Sequence, residues 1–198
     1  MNFASAVLAS YRYASFIGIP FVHYFLVRRR RFGKEDSVRF SERFGHPGMS
    51  RPDGEVVWIH GASVGEAISA LPLIRRLGCE TKANFLLTTG TITSARIVAN
   101  QLPDRTVHQY VPVDVFTAVE RFVSHWRPDL VLWLESELWP NILSTLQNNK
   151  VPHVMVNARM SSRSFGRWRF LKPVARRLLS GFEMCLAQSP KDAERFRF

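Results

Sequence analysis

Cysteine and the common metal-binding motifs are scarce in this sequence. Only two cysteines, Cys79 and Cys185, occur among 198 residues, and they stand far apart. The absence of a CxxC pair or a Cys/His ligand spacing disfavours both a disulfide framework and a zinc site. HExxH and acidic metal loops are missing as well, so we predict no metal and no cofactor. Both cysteines are expected to be buried small side chains in a protein of a reducing compartment.

Acidic residues are also in short supply. The sequence has 27 Lys and Arg against 16 Asp and Glu, a formal net charge of +11. Such an excess predicts an anionic partner: nucleic acid, anionic lipid or a phosphorylated substrate. Solvated basic helices are an alternative explanation of the charge, and no RNA-binding module pattern is present. The hydrophobic fraction of 46% in 198 residues is enough for a domain with a full core.

The first 32 residues combine an apolar run with a basic end. Residues 3–27 are largely apolar, and four arginines follow at 28–31. About 20 apolar residues cross a bilayer, but Arg12 interrupts this run and Pro20 is expected to kink a helix. Two interpretations stay open: a single span with the arginines on the cytoplasmic side, or an amphipathic segment lying in the interface. An ordinary buried helix is the third. We expect residues 1–32 to be a membrane-associated segment.

The remainder of the chain divides into a connector and one domain. Residues 33–54 are polar and rich in Gly and Pro, which favours a connector. In residues 55–198, short apolar runs alternate with segments of helical spacing, which predicts an α/β fold with a Rossmann-like parallel sheet. The predicted strands are 56–60, 85–89, 107–111, 130–134, 153–157 and 183–187.

Two predicted helices carry recognisable caps. One places Val115, Val119, Phe122 and Trp126 on a single face, with Asp114 as its cap. The other covers residues 92–102, with Thr91 or Thr93 as its cap.

The turn after the first strand, Gly61-Ala62-Ser63-Val64-Gly65-Glu66, is neither a Walker A loop nor a GxGxxG motif. Its glycines permit a tight turn and the close approach of a ligand. Helix amides near Glu66 stabilise an ionised carboxylate that is able to accept a proton, although most glutamates in a first turn only complement the helix dipole. Pro72 leaves two alternatives: the helix bends there, or it begins near Ser69 and leaves Glu66 on a loop.

A second strand end carries two carboxylates, Glu135 and Glu137. Alternate residues of an extended segment point to one side, and the carboxyl ends of parallel strands line the ligand crevice. A structural pair bound to arginines is an equally good alternative. A basic cluster interleaved with aromatic residues follows at 159–177, and arginine forks suit phosphate oxygens. His60 precedes the glycine turn, and we predict a core histidine or one that supports a site residue.

These residues together resemble the amino-terminal half of the Kdo (3-deoxy-D-manno-octulosonic acid) transferases. The resemblance rests on the apolar start with its basic flank and on four motifs: Glu42-Arg43-Phe44-Gly45, Ser63-Val64-Gly65-Glu66, Glu135-Ser136-Glu137-Leu138-Trp139-Pro140-Asn141 and Asn157-Ala158-Arg159-Met160-Ser161. It implies the N-terminal domain of a glycosyltransferase-B fold. It also implies inverting transfer of Kdo from CMP-Kdo to the lipid A precursor, without a catalytic metal or nucleic acid, at the cytoplasmic face of the inner membrane.

The resemblance also implies roles for individual residues. Glu66 becomes the general base that deprotonates the acceptor hydroxyl, and Glu137 a supporting catalytic residue. The implied substrate contacts are Ser63, Gly65, Glu135, Asn141, Arg159 and Ser161. Because the family's second domain holds most of the CMP-Kdo site, we expect this chain to bind acceptor but not to transfer sugar alone. The alternative is a non-catalytic module that binds anionic lipid or phosphate and gives Glu66 no chemical task.

Overall fold

A computed structural model of the chain describes residues 2–134 and 137–197. It contains a six-stranded sheet in the order β3-β2-β1-β4-β5-β6, and every pair of neighbouring strands is parallel. The strands are β1 Val56–His60, β2 Asn84–Thr89, β3 Thr106–Tyr110, β4 Leu130–Leu134, β5 His153–Ala158 and β6 Met184–Ala187. All six lie within one residue of their predicted bounds, so the predicted α/β fold class is confirmed.

The helices occupy both faces of this sheet. They are α1 Phe3–Ile17, α2 Ile19–Arg31, α3 Val64–Glu80, α4 Ile92–Ala99, α5 Phe116–Trp126, α6 Pro140–Asn148, α7 Ser162–Phe170, α8 Lys172–Leu179 and α9 Pro190–Phe196, with a 3₁₀ helix at Phe40–Phe44. One face of the sheet packs against α5 and α6, and the other against α3 and α4. The chain moves outward from β1 to β3 and then returns to place β4 beside β1. The ends of these two strands therefore form a topological switch point, where such sheets bind ligands.

The start of α3 decides between the two alternatives for Glu66. Ser63 caps the helix, which runs without interruption from Val64 through Pro72 to Glu80. Glu66 thus lies in the first turn, and the alternative of a start near Ser69 is wrong. A proline at position 72 leaves the carbonyl of Ile68 without its helical donor. Both residues lie on the exposed side of α3, where water can satisfy that carbonyl.

Caps of two other helices differ in how well the sequence predicted them. The predicted face of α5 is buried, as expected. The prediction that Asp114 caps α5 is wrong, because its carboxylate accepts the backbone N–H groups of Asn141 at 3.1 Å and Ile142 at 2.9 Å, at the start of α6. The neighbouring cap residue of α6, Trp139, offers no side-chain acceptor of its own. Thr91 caps α4, with its hydroxyl accepting from the backbone of Ser94.

The N-terminal helices α1 and α2 meet at Gly18 and lie against the domain. Arg12, which interrupts the apolar run in the sequence, faces the domain. Its guanidinium stacks on the Phe116 ring, 3.3 Å from the ring centre. Tyr11 donates a hydrogen bond to Asp114 at 3.1 Å. The outward side of the two helices is rich in exposed large apolar residues: Phe3, Tyr13, Phe16, Ile17, Phe21, Tyr24 and Phe25. Within residues 2–134 and 137–197, no helix is both long enough and apolar enough to cross a membrane.

Residues 33–54 cover the open edge of β3. The 3₁₀ helix supplies Glu42, whose carboxylate accepts the Tyr110 backbone N–H at 2.8 Å. Arg39 donates to the carbonyl of His108 at 2.6 Å. Side chains thus take the place of a neighbouring strand along this edge. Gly45 has φ of 78°, and a Cβ at that position would lie 2.0 Å from the Ala118 carbonyl oxygen, so the close approach to α5 requires glycine.

Both cysteines are exposed, so the prediction that they are buried is wrong. Cys79 lies near the C-terminal end of α3, on the side turned away from the sheet. Cys185 lies on β6, which pairs with β5 along one edge and leaves Met184 and Leu186 exposed beside it. The small number of cysteines did not indicate which face of its helix or strand each cysteine occupies.

Candidate active site

The glycine turn wraps closely around the first turn of α3. The backbone N–H of Gly61 continues the sheet ladder by donating to Thr88 at 3.0 Å. A Cβ at Gly61 would lie 3.0 Å from the backbone nitrogen of Ala67, so a larger residue would push the turn away from the helix. At Gly65, by contrast, a Cβ would meet nothing within 4 Å. The outer side of the turn is therefore open to a ligand.

Glu66 is held in a capping arrangement at this turn. One carboxylate oxygen accepts the Ala62 backbone N–H at 2.7 Å, and the other accepts the Ser63 hydroxyl at 2.6 Å. The Ser63 oxygen in turn accepts the Glu66 backbone N–H at 3.3 Å. A carboxylate oxygen can accept more than one hydrogen bond, so Glu66 keeps acceptor capacity for a substrate proton. Glu66 as a whole residue is 9% exposed.

Glu137 lies just beyond the end of β4, next to the end of β1. Trp133 fixes its backbone by donating to the Glu137 carbonyl at 2.7 Å, and Trp139 donates to its Oε2 at 2.9 Å. The His60 imidazole faces the same oxygen at 3.8 Å and holds the pKa of Glu137 below its usual value, with Trp139 adding to this effect and partial burial opposing it. Because 3.8 Å exceeds a hydrogen bond, the contact with His60 is electrostatic.

A cavity of about 360 Å³ adjoins Glu137. Its lining includes Arg167 and Trp168 of α7, together with Trp139. Indole faces suit the apolar faces of sugar rings, while one anionic and one cationic side chain suit hydroxyl and acidic groups. The basic cluster that the sequence showed at 159–177 therefore contributes directly to the wall of this cavity.

The other predicted site residues fall into separate places. Ser63 and Gly65 lie with Glu66 in the glycine turn, whereas Arg159 and Ser161 follow β5, where Ser161 caps α7. Asn141 is buried, and its amide donates to the Asp114 carbonyl at 2.6 Å and to Ser15 at 3.1 Å. Its amide nitrogen thus joins α6 to α1. Glu135 lies outside the described residues. These substrate contacts stay predictions.

Sequence reasoning missed two residues that shape the site. Thr88 lies inside β2 and bonds to the His60 ring, and no motif marks it. Trp139 stood inside a quoted motif but was not assigned a contact, although its indole holds Glu137. Within the described residues, no group of three or more His, Cys, Asp or Glu is placed to hold a metal ion.

The chain is similar to known proteins in sequence and in fold. Residues 38–198 match the family model described as 3-deoxy-D-manno-octulosonic-acid transferase (kdotransferase). The chain is 37% identical over 201 residues to a probable mitochondrial 3-deoxy-D-manno-octulosonic acid transferase of Arabidopsis thaliana, covering 100% of this chain and 45% of that protein. It is 35% identical over 188 residues to the 3-deoxy-D-manno-octulosonic acid transferase of Rickettsia bellii, covering 94% and 44%. The chain thus spans less than half the length of these relatives.

A solved structure supports the fold assignment. The crystal structure of a putative UDP-N-acetylglucosamine 2-epimerase from Listeria monocytogenes superimposes with a TM-score of 0.51, covering 75% of this chain and 42% of that one. At 13% sequence identity, the likeness concerns the fold alone.

Proposed function

Because the chain belongs to the 3-deoxy-D-manno-octulosonic acid (Kdo) transferase family, we propose that it forms the acceptor-binding half of an inverting Kdo glycosyltransferase of lipopolysaccharide biosynthesis. The donor is CMP-Kdo and the acceptor is the lipid A precursor. The observation that carries the proposal is the pair of glutamates at the switch point, Glu66 in the glycine turn and Glu137 beside the end of β1. The chain covers 45% and 44% of two relatives, and most of the donor site belongs to the remaining half.

The proposed chemistry assigns one proton and one leaving group. Glu66 accepts the proton of the acceptor hydroxyl while that oxygen attacks the anomeric carbon of Kdo. The bond from this carbon to the CMP phosphate breaks, and CMP leaves with the electron pair. The hydrogen bonds from Ala62 and Ser63 keep the carboxylate oriented during the transfer. Glu137 binds the sugar from the neighbouring strand end.

An anionic membrane surface completes the proposal. The lipid A precursor is bisphosphorylated, and four arginines occupy the last turn of α2 at 28–31. Arg12 and Tyr11 fix one side of α1 to the domain, while Phe16 and Phe21 are exposed on the outward side. This two-sided arrangement suits helices that lie in the interface, at the cytoplasmic face of the inner membrane. Between α2 and the 3₁₀ helix lies a cavity of about 740 Å³ with a largely apolar lining, whose size suits an acyl chain.

Activity of a glutamine variant tests the role of Glu66. In the enzyme expressed from the complete reading frame that contains this chain, Glu66→Gln should lower kcat at least about 100-fold, since general base catalysis contributes that much or more. Glu80→Gln on the same helix is the matched control, because its exposed side chain pairs only with Arg76 in the described residues. Full activity of Glu66→Gln contradicts the proposed base. Turnover of CMP-Kdo by the 198-residue chain alone contradicts the division into two halves.

Vesicle flotation tests the membrane proposal separately. The chain should float with vesicles that contain anionic phospholipid, and binding should weaken as salt rises. Replacing both Phe16 and Phe21 by serine should reduce the bound fraction, whereas Met49→Ser, at an exposed apolar position away from α1 and α2, should not. Equal binding to neutral and anionic vesicles contradicts the role of the arginines.

A second candidate is a non-catalytic module that binds anionic lipid or phosphate. It is favoured by one observation: both carboxylate oxygens of Glu66 already hold donors of the helix cap. In this case the Glu66→Gln enzyme keeps its activity while removal of the arginines at 28–31 abolishes lipid binding.

A further inference from the structure

His60, the last residue of β1, is a completely buried histidine at the edge of the candidate site. Its exposed fraction is 0%. The ring lies against two indoles, with centroids 4.3 Å from Trp133 and 6.2 Å from Trp139. A histidine in so apolar a position needs partners for both ring nitrogens. Those partners determine which nitrogen carries the proton.

The hydrogen bonds behind His60 assign its tautomer. The indole of Trp58 donates to the Thr88 hydroxyl oxygen at 2.8 Å, and that hydroxyl lies 2.9 Å from His60 Nδ1. An indole N–H only donates, so the Thr88 oxygen accepts from it and its own proton needs an acceptor. His60 Nδ1 is the acceptor within reach. The neutral ring therefore carries its proton on Nε2.

The Nε2 atom has no hydrogen-bond partner among residues 2–134 and 137–197, yet it faces a carboxylate. Glu137 Oε2 lies 3.8 Å away. A lone pair on Nε2 would repel this oxygen, so the carboxylate independently favours the same tautomer. Each group then directs its proton toward the next one, from Trp58 to Thr88, from Thr88 to His60, and from His60 toward Glu137.

We propose that His60 is a positioning residue for Glu137 and that its Nε2–H closes onto Oε2 when a sugar occupies the adjoining cavity. The indole of Trp139 already donates to Oε2, so the two donors together hold one oxygen of the carboxylate. The other oxygen, Oε1, then accepts a hydrogen bond from a hydroxyl group of the bound sugar. The identity of this sugar rests on the proposed function, whereas the state of the histidine does not.

Two further elements at this end of the sheet carry charged groups. Arg167 of α7 lines the same cavity as Glu137. Glu66 of α3 is hydrogen-bonded to the glycine turn that follows His60. The remaining close neighbours, Thr88 and the indoles, do not titrate in the ordinary pH range. His60 and Trp139 lower the pKa of Glu137, and partial burial opposes them.

Nuclear magnetic resonance on the 198-residue chain tests the positioning directly. Two-bond ¹⁵N–¹H couplings should show that the neutral form of the His60 ring carries its proton on Nε2. Carboxyl ¹³C shifts should give Glu137 a midpoint below that of a free glutamate. The midpoint should rise in His60→Asn, whose amide mimics only the Nδ1 side, and return in His60→Gln, whose amide nitrogen reaches the Nε2 position. His125→Asn, at a partly exposed position on α5, is the control and should leave the Glu137 midpoint unchanged.

Three results would overturn the proposal: an Nδ1–H tautomer, an unchanged Glu137 midpoint in His60→Asn, or equal midpoints in the asparagine and glutamine variants. Circular dichroism of each variant establishes that it is folded, and the glutamine variant keeps the comparison valid if asparagine disturbs the core. None of these measurements needs a substrate.

Kinetics of the complete enzyme supply the functional half of the test. A carboxylate misplaced by about 1 Å can cost about 100-fold in rate, and we expect a loss of that order in kcat/KM for His60→Asn but not for His60→Gln. Combining His60→Asn with Glu137→Gln should cost no more than Glu137→Gln alone, because the two act as a unit. Additive losses would overturn the coupling. A wild-type enzyme without Kdo transfer would refute the proposed function and leave the resonance result standing.

Discussion

Replacing Glu66 by alanine should destabilise the protein even where no substrate is present. The carboxylate accepts one backbone N–H at 2.7 Å and the Ser63 hydroxyl at 2.6 Å, at the first turn of α3. Loss of a helix N-terminal cap costs about 0.5–2 kcal/mol, and loss of a negative charge near the N-terminus costs about 0.3–1 kcal/mol. We therefore expect the free energy of unfolding to fall by about 1–3 kcal/mol in Glu66→Ala.

Glutamine should give an intermediate result. Its amide oxygen can still accept the Ala62 N–H, but its amide nitrogen cannot accept from the Ser63 hydroxyl, and the charge is lost. Urea denaturation followed by tryptophan fluorescence and far-ultraviolet circular dichroism measures both variants. Glu80→Ala is the matched control on the same helix. Its side chain is 51% exposed and pairs with Arg76 at the surface, so we expect a change below about 0.5 kcal/mol.

An unchanged urea midpoint for Glu66→Ala would refute the idea that the carboxylate holds the turn. The outcome also decides how activity data are interpreted. If alanine unfolds the turn, its loss of activity does not identify a base. Glutamine then becomes the informative variant, because it removes the proton acceptor while keeping one bond of the cap.

Two further predictions concern pH and glycine. Burial and the nearby Arg39 lower the pKa of His108 from 6.5 to about 3, so the folded protein keeps it neutral while the unfolded chain is protonated. Stability is therefore lost as pH falls from 6.5 toward 3, by at most about 1.4 kcal/mol per pH unit. Between pH 7 and pH 5, the free energy of unfolding measured with urea should fall less in His108→Gln than in the wild-type protein. Burial raises the pKa of Asp114 to about 6, which changes the stability of both proteins equally and in the opposite direction. An equal loss of stability at pH 5 in the wild-type protein and in His108→Gln would contradict this prediction. Gly61→Ala should lower the free energy of unfolding by about 1–3 kcal/mol, because its Cβ would meet α3. Gly65→Ala, at an open position, should be tolerated. Equal thermal unfolding midpoints of the two variants would contradict this prediction.

The strands were predictable because parallel strands covered on both faces are short, apolar and bounded by polar turns. The same local logic failed for Asp114. Its position before α5 predicted a cap there, but the sheet places the start of α6 within reach of the same carboxylate. A side chain caps the helix whose backbone N–H groups lie near it in space. Sequence spacing shows only the N–H groups that follow the side chain directly in the chain.

The candidate site was predictable in its motifs but not in its contacts. The glycine turn and the Glu137 strand end could be recognised from the sequence, since each combines a strand end with an ionisable residue. The link between them could not, because Thr88 comes from a third strand and no periodicity marks it. Cys185 fails for a related reason: its exposure depends on β6 being the outer strand of the sheet, which only the strand order reveals.

The side chains that occupy the free edge of β3 also bear on how this protein is handled. An unpaired parallel edge offers backbone N–H and carbonyl groups to any extended chain it meets. Glu42 and Arg39 satisfy such groups with charged side chains, so residues 33–54 guard the sheet against self-association between molecules. A shortened version that begins at Val56 loses that guard and is expected to aggregate. A shortened version therefore has to keep residues 33–54 in order to keep this edge covered.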